Sequence, residues 1–247
     1  MIRLLKDVNG TTVHATDGDI GKVVDSYFGD EKWAVRYLVV DVGSWVPGGH
    51  VLISPIAVTR IDWTRGRIDL TIDRSKVRSS PPADLMVPIA RRYEREYYRY
   101  YGWPFYWGGV GVWGSEAGPA NLAAGGFESS SRADETSGER DVRRTVGTHR
   151  EEQDHHIRSA REVAGYHIKA TDQEVGHIDD YLIDENSWVI DSIVIDTSNW
   201  PGGKTVVLPR QQIQQINWST KQITVELSAQ EVRNDPEFTE AFAVRRG

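Results

Sequence analysis

The histidines are the first residues that could do chemistry, because neutral imidazole is a common metal ligand. His149, His155 and His156 lie close together in the second half of the chain. Their spacing matches neither the i, i+4 pair of a helical metal site nor a strand-based ligand set, and the residues around them are acidic and polar. The pattern therefore predicts a solvated linker rather than a metal site.

Acidic residues are the second group with possible chemistry, because carboxylate oxygens bind divalent cations. The candidates are Asp17, Asp19, Asp25, Asp172, Glu174, Asp179 and Asp180. A calcium loop places its ligands at fixed offsets within about 12 residues around a glycine, and these residues do not have that spacing. We expect them to form turns and to face solvent. A metal-dependent enzyme that uses the acidic turns stays as an alternative hypothesis.

No other pattern in the sequence points to a reaction. Ser44, Ser54 and Ser198 lack the neighbouring histidine and aspartate, or the glycine-flanked turn, that would activate a hydroxyl. The chain has no cysteine, which excludes thiolate nucleophiles, disulfides and cysteine-based metal sites. We therefore expect a protein that is not an enzyme and that uses no cofactor and no metal.

Net charge and hydropathy limit which classes of partner and which cellular compartment we expect. The formal net charge is −7, from 29 basic and 36 acidic side chains, which opposes nucleic-acid binding through phosphate neutralisation. The N-terminal segment lacks the apolar core of a signal peptide, and no stretch approaches the roughly 20 apolar residues of a membrane span. The sequence predicts a cytoplasmic protein without a transmembrane segment.

The chain repeats itself at a shift of 155 positions. AspGlyAspIleGly at 17–21 aligns with AspGlnGluValGly at 172–176. Six of the nine tryptophans also fall on equivalent positions, Trp33 with Trp188, Trp45 with Trp200 and Trp63 with Trp218. Two copies are too few for a solenoid, so we expect each copy to fold as its own domain.

The boundaries of the two copies follow from this alignment. The first copy covers residues 3–82 and the second covers 157–238. A slip of one residue aligns their ProGlyGly loops and pairs Pro55 with Pro209, after which the shift returns to 155. A difference in loop length explains such a slip.

Each copy consists of short, β-branched segments separated by turn residues. In the first copy these segments are 20–28, 34–42, 50–54, 58–63 and 67–72. Asp17-Gly18 and the ProGlyGly loop supply turn chemistry between them. The pattern predicts a mainly β chain with two small antiparallel β-barrels in tandem, because closure removes exposed sheet edges.

Both copies resemble the PRC-barrel domain. The first copy carries ArgTyrLeuValValAsp at 36–41 and IleAspTrp at 61–63, and the second carries SerIleValIleAsp at 192–196 and IleAsnTrp at 216–218. This family includes the barrel of the photosynthetic reaction centre H subunit and that of a ribosome maturation factor. The chain is most similar to tandem stand-alone bacterial members. The resemblance implies PRC-type barrels that act as docking modules in a prokaryotic cytoplasm.

The middle of the chain has a different composition. Residues 83–114 include a run of mixed aromatic and charged side chains at 91–107, and tyrosines three or four apart predict a short helix that ends at Gly102. One expectation is that this aromatic helix and its extension pack on the first barrel or bridge the two barrels, and the other is that they form a partner site. Residues 115–156 are rich in Gly, Ser, Glu and Arg, which indicates a flexible linker. Residues 239–247 form a C-terminal tail.

These patterns favour a non-enzymatic binding or scaffold protein. Its partner is expected to be another protein or a second copy of the chain. Aromatic residues are enriched at binding hot spots, and Trp45 and Trp200 come just before ProGlyGly loops. The candidate partner-binding residues are Trp45, Tyr97, Tyr101, Trp103, Trp107 and Trp200. An alternative is a peripheral membrane protein or an assembly factor related to photosynthetic complexes, because Trp and Tyr favour the membrane interface.

Overall fold

A computed structural model describes residues 1–85, 89–124, 156–198 and 203–239 of the 247-residue chain. These residues divide into two compact units. The first unit contains Gly10–Arg158, and the second combines Met1–Asn9 with the chain from Ser159 onwards. The sequence alignment assigns residues 3–9 to the first copy, whereas the structure places them in the second unit.

The first unit contains a seven-stranded sheet. Its strands are β2 (Thr12–Ala15), β3 (Gly18–Gly29), β4 (Ala34–Asp41), β5 (His50–Ile53), β6 (Val58–Asp62), β7 (Arg67–Leu70) and β8 (Ile157–Ser159). The strand order is β5-β4-β3-β2-β7-β6, and β8 pairs with β3. The β2–β7 pair is parallel, whereas β2–β3, β3–β4, β4–β5 and β6–β7 are antiparallel.

The second unit has the same topology. Its strands are β1 (Ile2–Leu4), β9 (His167–Lys169), β10 (Glu174–Asp184), β11 (Ile190–Asp196), β12 (Thr205–Pro209), β13 (Ile213–Asn217) and β14 (Gln222–Val225). The order is β12-β11-β10-β9-β14-β13, β1 pairs with β10, and β9–β14 is the parallel pair. The predicted mainly β class is confirmed. Among the described strands no pairing joins the two ends of either sheet, so closed barrels stay a prediction.

Helices are short and few in the described parts of the chain. They are α1 (Arg74–Arg78), α2 (Arg91–Tyr101), α3 (Pro119–Ala124), α4 (Ala160–Val163) and α5 (Ala229–Asn234). Helix α2 confirms the predicted aromatic helix, and Gly102 ends it in the left-handed conformation at φ 74°. No helix among the described residues is long and apolar enough to cross a membrane.

Strand register corrects one detail of the repeat alignment. Leu38 pairs with Ile53 in the first unit, and Ile193 pairs with Leu208 in the second, which keeps the shift of 155 on both strands. The one-residue slip is therefore confined to the ProGlyGly loop, and the predicted equivalence of Pro55 with Pro209 is wrong. A loop absorbs the slip because a shift within a strand would turn every side chain to the other face.

The two hairpin turns that precede β4 and β11 contain equivalent tryptophans. Trp33 and Trp188 have φ angles of 51° and 57°, in the left-handed region, and both side chains are buried. This conformation is uncommon for a bulky residue, so burial of the large indole must offset the backbone strain. The expectation that these tryptophans are structural agrees with their positions.

Each repeat places its leading strand in the sheet of the other. Residues 2–4 pair with β10 of the second unit, and residues 157–159 pair with β3 of the first unit. These two strands are equivalent at the shift of 155. The exchange explains why the compact units do not coincide with the sequence copies.

Candidate functional site

Two of the candidate metal-binding carboxylates are helix caps. Asp17 Oδ1 accepts a hydrogen bond from the backbone N–H of Arg74 at 2.8 Å, and Asp172 Oδ1 accepts one from Ala229 N–H at 2.8 Å. Each donor is in the first turn of a short helix, α1 or α5. Free N–H groups at a helix start need acceptors, so these aspartates connect the β2–β3 and β9–β10 turns to the following helices.

A second pair of candidate carboxylates is buried, which corrects the expectation that they face solvent. Asp25 and Asp180 are 5% and 4% exposed, and each lies at a β-bulge in the longest strand of its unit. In both, Oδ1 accepts the N–H of the next residue at 2.8 Å. These side chains satisfy backbone groups that the bulge removes from the ladder.

Burial changes the acidity of Asp180. Desolvation raises its pKa to about 6, against the opposing effect of hydrogen bonds from the backbone N–H groups of Tyr181 and Lys6 and of the Lys6 ammonium. Lys6 Nζ lies 3.6 Å from Asp180 Oδ2 and 3.6 Å from the neighbouring Asp179 Oδ2. Among the described residues no group of three His, Cys, Asp or Glu could hold a metal ion.

Tyr97 of helix α2 lies against the edge of strand β5. Its ring is fully buried and packs edge-to-face on Tyr37 at 5.1 Å between centroids. Its hydroxyl donates to Leu52 O at 2.9 Å and accepts from Ser54 N–H at 3.1 Å. One hydroxyl thus satisfies a donor and an acceptor at a strand edge, which attaches the helix to the sheet.

The other aromatic residues after Tyr97 continue this packing. Tyr101 and Trp103 stack at 4.4 Å between ring centroids with an interplanar angle of 10°, and both are buried. Burial raises the pKa of Tyr97, of Tyr101 and of Tyr106 above its usual value. Of the two expectations for this segment, packing on the first unit is the one that the geometry favours.

The six candidate partner-binding residues therefore have different environments. Tyr97, Tyr101 and Trp103 are buried within the first unit and present no free surface. Trp45 and Trp107 are half-buried, and Trp200 lies outside the described residues. The Trp45 indole donates to Ile20 O at 3.1 Å, so its polar edge is bound to β3.

A buried carboxylate, Glu94, is the centre of a polar network that the sequence did not predict. Glu94 is fully buried in helix α2 and accepts hydrogen bonds on both oxygens. Its donors are Tyr37 Oη at 3.2 Å, Tyr106 Oη at 2.8 Å, Arg91 Nη1 at 2.9 Å and, within hydrogen-bond distance at 3.0 Å, His156 Nε2. With this many partners, the carboxylate is stabilised in place, and it has no access to a substrate.

His156 is the clearest departure from the sequence prediction. It was expected in a solvated linker, yet it is 5% exposed and its backbone O accepts from Asp30 N–H at 3.1 Å. His149 and His155 lie outside the described residues. The one available signal was Glu94, an acid inside an aromatic helix face, because a buried acid requires partners from elsewhere in the chain.

Arg36 extends the network with a buried cation. It is 1% exposed, and its guanidinium lies 3.7 Å from the Tyr106 ring centroid and 4.5 Å from that of Trp113. Two aromatic faces therefore offset part of the cost of burying its charge. Arg36, Glu94 and the rings around them act as the polar core of the first unit.

An exposed loop follows the aromatic cluster. Val110 is 96% exposed, whereas Trp113, three residues later, is fully buried. We call residues 107–112 the Val110 loop. Val110 is the one large apolar side chain recorded as exposed in the described part of the chain, which makes this loop a candidate contact surface.

A scan against protein-family models and a search of curated proteins find no match for this chain.

Proposed function

We propose that the chain is a non-enzymatic binding protein that docks a protein partner through the Val110 loop of its first unit. The observation that carries the proposal is the exposure of Val110 beside a buried aromatic cluster. Trp and Arg are enriched at binding hot spots, and Trp107 and Arg91 lie in contact beside this exposed apolar side chain. Trp107, half-buried in the same loop, is the second residue of this surface.

The base of the loop is fixed, which favours binding. Gly111 N–H donates to Gly114 O at 2.8 Å, and Lys32 Nζ donates to Val110 O at 3.2 Å. Trp107 stacks on Phe105 at 4.7 Å, and the Arg91 guanidinium lies 4.4 Å from its ring centroid. A loop held in one conformation loses less entropy on binding.

The polar residues support a role without catalysis. Asp17 and Asp172 cap helices, and Glu94 is enclosed by its donors. A general acid or nucleophile must reach a substrate, and these groups are already engaged in the fold. We include in the proposal that the units are PRC-type barrels of a bacterial cytoplasmic scaffold, on the basis of the sequence resemblance.

The test is affinity capture from bacterial extract with three tagged proteins. These are the wild type, Val110→Asp and the control Gln214→Asp, which introduces the same charge at an exposed position of the second unit. We expect Val110→Asp to reduce a captured protein at least about tenfold, because a buried charge in an interface costs more than 1.4 kcal/mol. The control should retain it.

A parallel set with Trp107→Ala and Trp45→Ala separates the loop from the ProGlyGly region. Each variant is first checked for an unchanged melting temperature. If all variants capture the same proteins in the same amounts, the Val110 loop is not the docking surface. Vesicle binding that disappears with Val110→Asp would replace the protein partner by a membrane surface.

A further inference from the structure

Strand β10 of the second unit holds a segment that comes from the other end of the chain. Residues 2–4 pair with it in antiparallel register, with Ile2 opposite Asp184 and Leu4 opposite Leu182. The chain then leaves this unit between Asn9 and Gly10 and enters the first unit. Residues 1–9, the N-terminal segment, therefore lie in a groove of the second unit, although the residues that follow them in the chain belong to the first unit.

Charge complementarity runs along this groove. Arg3 Nε lies 3.7 Å from Glu185 Oε2, and Lys6 Nζ lies 3.6 Å from Asp179 Oδ2. The backbone N–H of Lys6 also donates to Asp180 Oδ1 at 3.2 Å. We call Asp179, Asp180, Leu182, Asp184 and Glu185 the β10 groove. Its acidic rim matches the two basic side chains of the N-terminal segment.

Apolar contacts supply the rest of the interaction. Leu4 belongs to a buried cluster with Leu182, Val194 and Val207. Leu5 and Val8 of the same segment are 3% and 0% exposed. Burial of these apolar side chains stabilises the folded state, so the segment is a substantial part of the second unit.

The exchange is reciprocal, and this points to a partner. Strand β8 pairs with β3 of the first unit, as its equivalent β1 pairs with β10. Because a second molecule carries the same nine residues, its N-terminal segment can make each of these contacts in the same form. Exchange of identical elements is a low-cost route to a dimer because no new interface is required.

We propose that the β10 groove binds the N-terminal segment of a second copy of this chain, so that two molecules exchange residues 1–9 and form a dimer. The inference does not depend on the Val110 loop. It predicts that the groove recognises a basic, leucine-containing segment that is a strand over Ile2–Leu4 and a 3-10 helix over Leu5–Val8.

The test uses two charge-reversal variants. The charges of segment and groove are complementary between the two variants but not within either one. One carries Arg3→Glu and Lys6→Glu, and the other carries Asp179→Lys and Glu185→Lys. Each variant alone places like charges along its own groove. In a mixed dimer, the acidic segment of the first meets the lysines of the second, and the basic segment of the second meets the acidic groove of the first.

We expect the two variants, refolded together, to form a heterodimer with twice the 27.9 kDa mass of the chain in light scattering. Its melting temperature should exceed that of either variant refolded alone. The wild type should show a dimer fraction that rises with protein concentration.

The control is the pair Arg65→Glu and Asp62→Lys, a charge reversal within the exposed β6–β7 turn. This pair should give no heterodimer on mixing. If the groove variants also remain at the mass of one chain when refolded together, or stay unfolded in the mixture, the exchange between molecules does not occur and the proposal is wrong.

Discussion

The backbone of Gly21 lies directly against the carbonyl oxygen of Asp41, so closely that a Cβ atom at Gly21 would overlap that oxygen. Gly176 and Asp196 have the same relationship in the second unit. Gly21 is needed for this close approach alone, whereas Gly176 also has a φ of 143°, a backbone conformation that favours glycine. The contact allows β3 and β10 to approach the end of the next strand, where Asp41 and Asp196 begin the following loops.

Replacement of either glycine by alanine should destabilise its unit. We expect Gly21→Ala and Gly176→Ala each to cost about 3 kcal/mol in the free energy of unfolding, because backbone atoms cannot yield as side chains do. The control is Gly29→Ala, whose nearest neighbours would be in ordinary contact at 3.6 Å. Urea denaturation measures the three values. Equal midpoints for Gly21→Ala and Gly29→Ala would contradict the close approach.

Asp180 should make the free energy of unfolding depend on pH between its usual pKa and its raised pKa. Its pKa is raised to about 6 from 3.8, so the folded state binds more protons than the unfolded state between these values. The contribution of Asp180 to stability is therefore full below about pH 4 and is lost as the pH rises to about 6. The whole effect is of the order of 3 kcal/mol.

The measurement compares Asp180→Asn with Asp179→Asn, its more exposed neighbour, from pH 4 to pH 8. Relative to Asp179→Asn, the Asp180→Asn protein should gain stability as the pH rises through this window, because it no longer buries a charge. Parallel pH profiles for the two variants would mean that Asp180 titrates normally.

Removal of the Glu94 carboxylate should leave Arg91 without its buried partner. We expect Glu94→Gln to cost about 3 kcal/mol of stability, since breaking a buried ion pair leaves a charge uncompensated. The matched control on the same helix is Glu96→Gln, at an exposed position, with an effect below about 0.5 kcal/mol. Chemical denaturation distinguishes them, and similar losses for both would show that the network contributes little.

The Tyr97 hydroxyl should be important for the attachment of helix α2. In Tyr97→Phe, Leu52 O and Ser54 N–H lose a buried partner, which should cost about 2 kcal/mol. Tyr100→Phe removes a hydroxyl that binds Lys76 O near the surface, and we expect a smaller loss. Hydrogen exchange at Ser54 offers a local measure. The Ser54 amide should exchange faster in Tyr97→Phe and at an unchanged rate in Tyr100→Phe.

The sequence predicted the features that depend on neighbouring residues. Turn chemistry and β-branched segments located the strands, and the tyrosine spacing located helix α2 up to Gly102. The position of Glu94 in an aromatic helix signalled a buried acid, but its partner His156 could not be identified because it lies 62 positions away. The exchange of strands β1 and β8 could not be predicted for a different reason. Residues 2–4 and 157–159 are equivalent in the repeat, so the alignment is the same whichever sheet each one joins.

Because β1 pairs with β10, the pairing of β1 must wait until β10 has been synthesised. Met1 donates to Asp184, which is 183 positions away, so strand β1 leaves the ribosome long before its partner strand β10 is made. At a synthesis rate of about 5–20 residues per second, the wait is roughly 9–36 s. During that time Leu4, Leu5 and Val8 are apolar side chains without a core. Until β10 is made, residues 2–8 therefore need protection from other nascent chains, including copies of this chain.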